Sequence, residues 1–272
     1  MALAFTYATP KLRLDHTALP RSHLLAKSFH LICNPTRCID LVTEILAERN
    51  RLAGSFSPPA GVLPLPLFIW EPVPDRCTEV EKNNMYQALK FIDVLSPNYV
   101  ELSGFYGGGP GPRGEINREF LMLICTDLLL NGFGTSREGA VVVRAGREGC
   151  YVATHSLTEW FPAYHKPSKD AQAGSNMRVV DPTGGGNAFL GGLAVGLVRT
   201  RSGEGPESVS AAAAFASVAA SFAIEQVGMP TLTRASDGSE LWNGVSVAER
   251  LHEYLDSLAS SEVLSAAKTP DE

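Results

Sequence analysis

The chain has 272 residues, of which 44% are hydrophobic and 19% charged. This composition excludes a disordered or fibrous protein, and the length allows one large or two small domains with a substantial core. There are 23 lysines and arginines and 29 aspartates and glutamates, so the formal net charge is −6. A chain with this acidic balance is not expected to bind nucleic acids in general. The longest apolar runs, residues 63–70 and 121–130, are too short to span a membrane.

The cysteine count and the N-terminal residues bear on the compartment. Five cysteines, an odd number, argue against a disulfide framework and suit a reducing cytosol. Residues 1–8 are mildly apolar, but no basic segment precedes them and no small-residue cleavage site follows. A cytoplasmic protein is therefore expected, with a transit peptide as the less favoured alternative.

The first half of the chain alternates short apolar runs with amphipathic stretches. Thr78, with Glu81 three residues further on, predicts a capping box at the start of one helix, and Gly132 is placed to end another. The predicted elements, in order, are strand 29–33, helix 39–50, loop 55–65, strand 67–71, helix 78–91, strand 94–96, loop 104–114 and helix 115–130.

The second half continues the alternation. The predicted elements are strand 140–144, turn 146–149, hairpin strand 150–154, polar connection 166–176, strand 177–180, helices 188–199, 207–226 and 245–260, and a frayed tail from 266. Gly191, Gly192 and Gly196 are expected to let their helix pack tightly on the sheet.

Strands that alternate with helices predict an α/β fold with a mostly parallel sheet and helices on both faces. No internal repeat or interdomain linker is evident. The expected organisation is a poorly defined segment 1–28, one α/β domain over 29–262 and a flexible tail 263–272.

The strongest functional signal is the segment 181–187, Asp-Pro-Thr-Gly-Gly-Gly-Asn, between a β-branched run and an apolar helix. Backbone N–H groups at the start of a helix are unpaired and lie at the positive end of the helix dipole, and glycines let an anion approach them closely. Gly184, Gly185 and Gly186 therefore predict a phosphate cradle. The segment is neither a P-loop nor a dinucleotide fingerprint, and a flexible glycine turn is the alternative.

This segment resembles the C-terminal signature of the PfkB (ribokinase-like) carbohydrate kinases. Four other segments are similar to family segments in the same order, namely 68–76, 94–101, 141–149 and 212–228. The resemblance therefore covers about residues 29–232. The Pro-Thr-Gly-Gly-Gly-Asn form resembles a fungal branch, the maintenance-of-killer PfkB-like proteins. The resemblance implies a ribokinase-like fold whose site lies at the carboxyl edge of the sheet, where Asn98, Gly146 and Gly184 to Gly186 converge.

The resemblance also implies cofactors and site residues for an ATP- and Mg²⁺-dependent kinase acting on a sugar-like hydroxyl. Gly184, Gly185 and Gly186 would form the anion hole, and Asn187 stands where the family has its catalytic aspartate. Asn98 and Glu101 would handle Mg²⁺, and Asp181 lies beside the loop that binds a monovalent cation such as K⁺. The nucleotide side would comprise Arg144, Gly146, Gly149, Thr183 and Gly228.

Three of these assignments have structural alternatives. Asn98 could simply cap the following helix, and Asp181 could order the glycine turn through an Asx bond. Arg144 replaces the usual threonine of the family, and a surface ion pair is as reasonable for it as a phosphate contact.

Two departures from the family pattern keep two functions open. Asn187 is a neutral amide and cannot accept a proton, and a general base contributes about 10²- to 10⁴-fold in rate. Nothing in residues 1–27 matches the first strand, the Gly-Gly-x-x-x-Asn segment or the lid over the sugar, so these are expected to be missing. The chain is therefore expected to be either a kinase or a pseudokinase that binds a nucleotide or a protein partner, with a homodimer left open.

Overall fold

The computed structural model describes residues 13–54, 63–134, 139–166, 178–200 and 206–266. The strands in this part of the chain are β1 (Ser28–Cys33), β2 (Leu67–Pro72), β3 (Val94–Leu95), β4 (Ala140–Arg144), β5 (Cys150–Ala153), β6 (Thr158–Phe161), β7 (Leu232–Arg234) and β8 (Glu240–Trp242). The α-helices are α1 (Arg21–Leu24), α2 (Pro35–Gly54), α3 (Lys82–Leu89), α4 (Tyr99–Gly104), α5 (Arg118–Asn131), α6 (Gly185–Thr200), α7 (Pro206–Ala223) and α8 (Val247–Ala266).

Six strands of the described chain form one sheet in the order β1-β2-β3-β4-β5-β6. The β1–β2, β2–β3 and β3–β4 pairs are parallel, and β4–β5–β6 is an antiparallel meander. The predicted hairpin at 140–154 and the predicted mostly parallel sheet are thus confirmed. Strands β7 and β8 form a separate two-stranded hairpin.

A separate apolar core covers each face of the sheet. Successive residues of β2 point to opposite faces, as strand geometry requires. Phe68 and Trp70 belong to one core, which also contains buried residues of α2, α3, α4 and α5, whereas Ile69 packs with α6, α7 and α8 on the other face. Helices therefore lie on both faces, as predicted, and the carboxyl edge of the parallel strands is left for the loops.

Two predicted helix starts need correction. The predicted capping box at Thr78 is wrong, because its side chain makes no capping hydrogen bond and a 3₁₀ turn, Glu79–Glu81, precedes α3. Helix α2 begins earlier than predicted, because the backbone N–H of Arg37 donates to the Asn34 side chain at 2.9 Å. Gly132 does end α5, with a φ of 77°.

Three further differences concern strands. No strand is present at 178–180, because the N–H groups of Val180 and Asp181 both donate to the carbonyl of Ile224 after α7. Strand β6 and the β7–β8 hairpin were not predicted. Predictions for 55–62, 167–177 and the last six residues lie outside the described residues. None of the helices in the described part of the chain combines the length and apolarity that a membrane span needs.

Candidate functional site

A cavity of about 540 Å³ opens at the carboxyl edge of the sheet. The loop after β3 contributes Asn98 to its wall, and the end of β4 and the turn that follows contribute Arg144, Gly146 and Gly149. The first turn of α6 contributes Gly185 and Gly186, and α7 and the segment after it contribute Ser221 and Ile224. The structure therefore brings Asn98, Gly146 and the glycine segment to one cavity.

The glycine segment turns sharply into α6. Gly184 has a φ of 84°, a backbone conformation that side chains disfavour, and α6 begins at the next residue. A Cβ on Gly185 would lie 2.8 Å from Cγ2 of Ile224, and a Cβ on Gly186 would lie 2.6 Å from Nη1 of Arg144. Both positions are thus crowded for any side chain. The Gly185 N–H donates to the carbonyl of Pro182 at 3.2 Å, and Gly186 follows it in the first turn of the helix, where N–H groups lack intrahelical acceptors.

Asp181 orders the turn before this segment. Its Oδ1 accepts a hydrogen bond from the Thr183 N–H at 2.9 Å, and this bond lowers the pKa of the exposed Asp181 carboxyl. This is the Asx arrangement that the sequence left as an alternative for this residue. Thr183 and Asn187 are exposed. The structure does not place Thr183, Gly184, Asn187 or Asp181 in the wall of the cavity.

Gly146, Gly149 and Gly228 all have positive φ angles, but their surroundings differ. A Cβ on Gly149 would collide with the backbone of residues 161–163, so this glycine is required for the β5–β6 hairpin to approach the turn after β4. Gly146 and Gly228 have open space where a Cβ would stand. Gly228, with a φ of 88°, is not in the cavity wall.

Arg144 is the centre of a buried ion cluster. Its Nη2 donates to Oε1 of Glu71 at 2.6 Å, to Oε2 of Glu101 at 3.2 Å and to the carbonyl of Ser96 at 3.3 Å. The ion pair that the sequence allowed for Arg144 is thus present, but it is not at the surface, because only 13% of the Arg144 side chain is exposed. On its far side, Oε2 of Glu71 lies 3.0 Å from Nε2 of His30.

Asn98 and Glu101 form the capping box of α4. Oδ1 of Asn98 accepts from the Glu101 N–H, and Oε2 of Glu101 accepts from the Asn98 N–H, both at 2.8 Å. The Asn98 amide also donates to Oε1 of Glu101 at 2.7 Å. The oxygens that would ligate Mg²⁺ are thus all occupied by N–H donors, one of them by Arg144 as well. In the described ranges, no group of three His, Cys, Asp or Glu side chains could hold a metal ion. Oε1 of Glu101 and Oδ1 of Asn98 each keep a lone pair, so a hydrated Mg²⁺ held through water at these residues stays a prediction.

Sequence reasoning missed His165, which also lines the cavity. Its side chain is only 3% exposed, and Nε2 lies 3.0 Å from Oε1 of Glu225. Burial holds the pKa of His165 below its ordinary value, with help from Arg250 and against the attraction of Glu225. A single histidine in the apolar run before the glycine segment carries no sequence signal of such a position.

Comparisons with known proteins identify the family. Residues 128–234 match the model of the pfkB family carbohydrate kinases. An uncharacterised protein of Schizosaccharomyces pombe is 34% identical over 268 residues, and protein MAK32 of Saccharomyces cerevisiae is 28% identical over 236 residues. These alignments cover 95% and 84% of this chain, and 68% and 56% of the two relatives.

Solved structures show the same fold. The ribokinase of Giardia lamblia superimposes with a TM-score of 0.52 at 19% identity, over 76% of this chain and 57% of that one. A putative sugar kinase from Clostridium perfringens gives a TM-score of 0.50 at 15% identity, over 87% of this chain and 57% of the other. The chain thus spans about two thirds of the S. pombe protein and little more than half of MAK32 and of the two kinases. It has a ribokinase-like fold and belongs, with fungal relatives, to the PfkB family of carbohydrate kinases.

Proposed function

We propose that the chain binds a nucleotide in this cavity and is a PfkB-type kinase homologue that transfers phosphoryl groups to a sugar-like hydroxyl. One observation carries the proposal: Gly185 and Gly186, in the first turn of α6, line the same cavity as Gly146 and Arg144. Backbone N–H groups and a guanidinium are both suited to phosphate oxygens.

The cavity has two chemically different parts, which fit the two parts of a nucleotide. Arg144 and the glycine segment provide positive charge and N–H donors for the phosphates. The rest of the wall combines apolar side chains, among them Ala163, Ala220 and Ile224, with the polar side chains of His165 and Ser221. A mixed lining of this kind suits a heterocyclic base, which offers a flat ring and polar edge atoms.

Asn187 decides between catalysis and binding alone. Phosphoryl transfer depends mainly on positioning and electrostatic stabilisation, which the Gly186 N–H and the positive end of the α6 dipole would supply. Asn187 would orient the acceptor hydroxyl but cannot take its proton. A second candidate function is therefore a pseudokinase that binds a nucleotide or a protein partner without turnover.

The nucleotide site can be tested by measuring ATP and ADP binding calorimetrically. Gly185→Val should abolish binding, because the new side chain fills the approach to the N–H groups and meets Ile224 without removing any charge. Asn187→Ala, on the exposed side of the same helical turn, should retain most of the affinity. The proposal is wrong if the folded wild-type protein binds neither nucleotide.

Turnover is tested separately. ATP consumption should be measured with a panel of sugars and nucleosides for the wild type and for Asn187→Asp, which restores a carboxylate at this position. An increase of about 10²-fold or more in the variant would support the kinase assignment. If Asn187→Asp binds ATP normally but turns over none of the acceptors, the pseudokinase assignment is the better one.

The proposal includes a reducing, cytoplasmic location. All five cysteines are free and buried, which suits a compartment that keeps thiols reduced. The Asp181 carboxylate, with its remaining oxygen lone pairs, is the group that we propose for a monovalent cation such as K⁺ beside the glycine segment. Its test is whether K⁺ strengthens nucleotide binding in the wild type but not in Asp181→Ala.

A further inference from the structure

The wall of the cavity carries positive charge but no carboxylate. The chain as a whole has a formal net charge of −6. The described residues that line the cavity nevertheless include two arginines, Arg144 and Arg147, and neither an aspartate nor a glutamate. A cavity lined by charge of one sign attracts ligands of the opposite sign, so this wall favours an anionic ligand over a neutral one.

The charge of Arg144 is balanced within the protein. Its Nη2 donates to Oε1 of Glu71 at 2.6 Å and to Oε2 of Glu101 at 3.2 Å, and neither carboxylate lines the cavity. Only 13% of the Arg144 side chain is exposed. Of the two arginines in the wall, Arg147 is therefore the one that can provide an unbalanced positive charge.

Arg147 lies in the turn between β4 and β5, and its side chain is exposed. It makes no hydrogen bond, ion pair or ring contact with any residue in the described ranges. The adjacent carboxylate, Glu148, is held by Arg118, whose Nε and Nη2 donate to Oε2 of Glu148 at 3.1 and 2.9 Å. Arg118 in turn lies over the ring of Trp160, 4.2 Å from its centroid. The neighbour in sequence that could have neutralised Arg147 is thus already paired.

The turn that carries Arg147 has a well-fixed backbone. The Ala145 N–H donates to the Gly149 carbonyl at 2.7 Å, and the Gly149 N–H donates to the Gly146 carbonyl at 3.0 Å. A Cβ on Gly149 would collide with the backbone of residues 161–163, so the end of β6 also holds the turn in place. The turn therefore keeps Arg147 at the cavity, while its long side chain can rotate toward a ligand.

We propose that Arg147 binds the phosphate groups of the nucleotide and makes the cavity select a nucleoside polyphosphate over the nucleoside itself. This inference rests on the proposed nucleotide function and names a further binding residue for it. A guanidinium donates charge-assisted hydrogen bonds to phosphate oxygens, of which ATP and ADP offer several. Arg147 adds an unbalanced positive charge to the contacts that Arg144 and the glycine segment provide.

The experiment compares ATP and adenosine binding to the wild-type full chain and to Arg147→Gln by isothermal calorimetry. Arg147→Gln should weaken ATP binding about tenfold, because it removes a charge-assisted contact to phosphate. Adenosine keeps the base and the ribose but has no phosphate, so the two proteins should bind it equally to within about twofold. Equal ATP affinities would overturn the proposal. An equal loss for both ligands would also overturn it, because Arg147 would then act on the shape of the cavity.

Two further variants test whether the charge at this position is what matters. Arg147→Lys keeps the charge and should bind ATP to within about threefold of the wild type. A loss as large as that in Arg147→Gln would overturn the proposal. Arg234→Gln is the matched control, because it removes the same charge from the β7–β8 hairpin, where this arginine pairs with Glu240. It should bind ATP as the wild type does, and a similar tenfold loss would show that net charge, not Arg147, sets the affinity.

The melting temperature without ligand separates a binding role from a structural one. Because Arg147 makes no contact within the described ranges, Arg147→Gln should melt at the wild-type temperature. A clearly lower melting temperature would assign Arg147 a structural role and overturn the proposal. If the folded wild type binds neither ATP nor ADP, the proposed nucleotide function has failed. If the wild type binds ATP and Arg147→Gln binds it equally well, the nucleotide function stands and only the role of Arg147 is wrong.

Discussion

Glu71 and Glu101 contact the same guanidinium, but their pKa values move in opposite directions. Burial raises the pKa of Glu71, but His30 and Arg144 together outweigh burial and hold it below its usual value. Burial raises the pKa of Glu101 above its usual value, and the Asn98 N–H and Arg144 compensate only in part. The folded protein therefore stabilises the ionised form of Glu71. For Glu101, desolvation destabilises the ionised form by more than the contacts with Asn98 and Arg144 stabilise it.

This difference predicts unequal costs for two matched substitutions. Glu71→Gln should lower the free energy of unfolding by about 2 kcal/mol, because it removes a charged acceptor of Arg144 and the partner of His30. Glu101→Gln should cost less than about 1 kcal/mol, because glutamine also serves in a capping box and removes a poorly solvated charge. Urea denaturation at pH 7 measures both. Equal losses of unfolding free energy, or a larger loss for Glu101→Gln, would contradict the opposite pKa shifts of the two carboxyl groups.

The lowered pKa of Glu71 also predicts an acid-side loss of stability. Its pKa in the unfolded chain is about 4.3, and its folded value lies lower. The stabilisation from this group is therefore complete above pH 4.3 and is lost as the pH falls through the folded value. Denaturation between pH 3 and 6 should show a weaker pH dependence in Glu71→Gln than in the wild type. Superimposable pH profiles would show that the ion cluster does not stabilise the charged form.

His165 predicts a second pH dependence, closer to neutrality. Its folded pKa is lowered by burial, whereas the unfolded chain should titrate near pH 6.5. Stability from this group is present above pH 6.5 and is lost as the pH falls toward the folded pKa, because the unfolded chain then binds the extra proton. Stability should therefore decline from pH 7.5 to 5.5 more steeply in the wild type than in His165→Gln. A slope unchanged by the substitution would mean that folding does not lower the pKa of His165.

Secondary-structure elements with a clear local pattern of apolar residues could be predicted from the sequence. Elements that depend on partners distant in the chain could not. Strand 29–33 and the 140–154 hairpin were predictable, because short apolar runs there are bounded by clear turn residues. Residues 178–180 are β-branched but do not form a strand, because their backbone hydrogen bonds go to the end of α7. Strand β6 is mostly half-buried and ends a meander whose partner lies earlier in the chain, so its own pattern is weak.

The prediction that Gly191, Gly192 and Gly196 let α6 pack tightly on the sheet is wrong, because Gly192 and Gly196 pack against α7 and Gly191 packs against no neighbour. A Cβ on Gly192 would lie 2.7 Å from Cβ of Ala219, and one on Gly196 would lie 2.7 Å from Cα of Ala212. Gly191 has open space where its Cβ would stand. The small residues of two helices thus let their backbones approach closely, which explains the alanine-rich sequence of α7.

This packing predicts opposite effects for two neighbouring substitutions. Gly196→Ala should destabilise the protein by about 1 to 3 kcal/mol, because the methyl group meets the α7 backbone and overpacks the interface. Gly191→Ala should stabilise it by about 0.5 to 1 kcal/mol, because alanine is the better helix former and the position is open. Chemical denaturation of both variants provides the test. Stabilisation by Gly196→Ala would mean that α6 and α7 are not tightly packed.

Across the whole molecule, the backbone part of the candidate site could be predicted and its side-chain part could not. The glycine turn into an apolar helix could be predicted from local sequence, and the resemblance to the PfkB family placed it at the sheet edge, whereas its use as a phosphate cradle stays a prediction. Arg144 and His165 gain their surroundings from Glu71 and Glu225, which lie 60 or more residues away in the chain. Such pairings carry no local spacing, and the Asn-x-x-Glu spacing at 98–101 suited both a capping box and a metal site.

The distribution of these residues predicts which ligand stabilises the chain. The proposed nucleotide contacts lie in β4, the turn after it, α6 and α7, all within the described residues. The sugar-side segments of the family are not matched by residues 1–27. ATP at about 100 times its dissociation constant should therefore add roughly 2.7 kcal/mol to stability, which raises the melting temperature by about 5 °C in a chain of this size. A pentose or hexose alone should cause no shift. Scanning calorimetry tests this expectation by measuring the melting temperature with ATP and with each sugar, and Gly185→Val serves as the control. A rise in melting temperature with a sugar but none with ATP would contradict it.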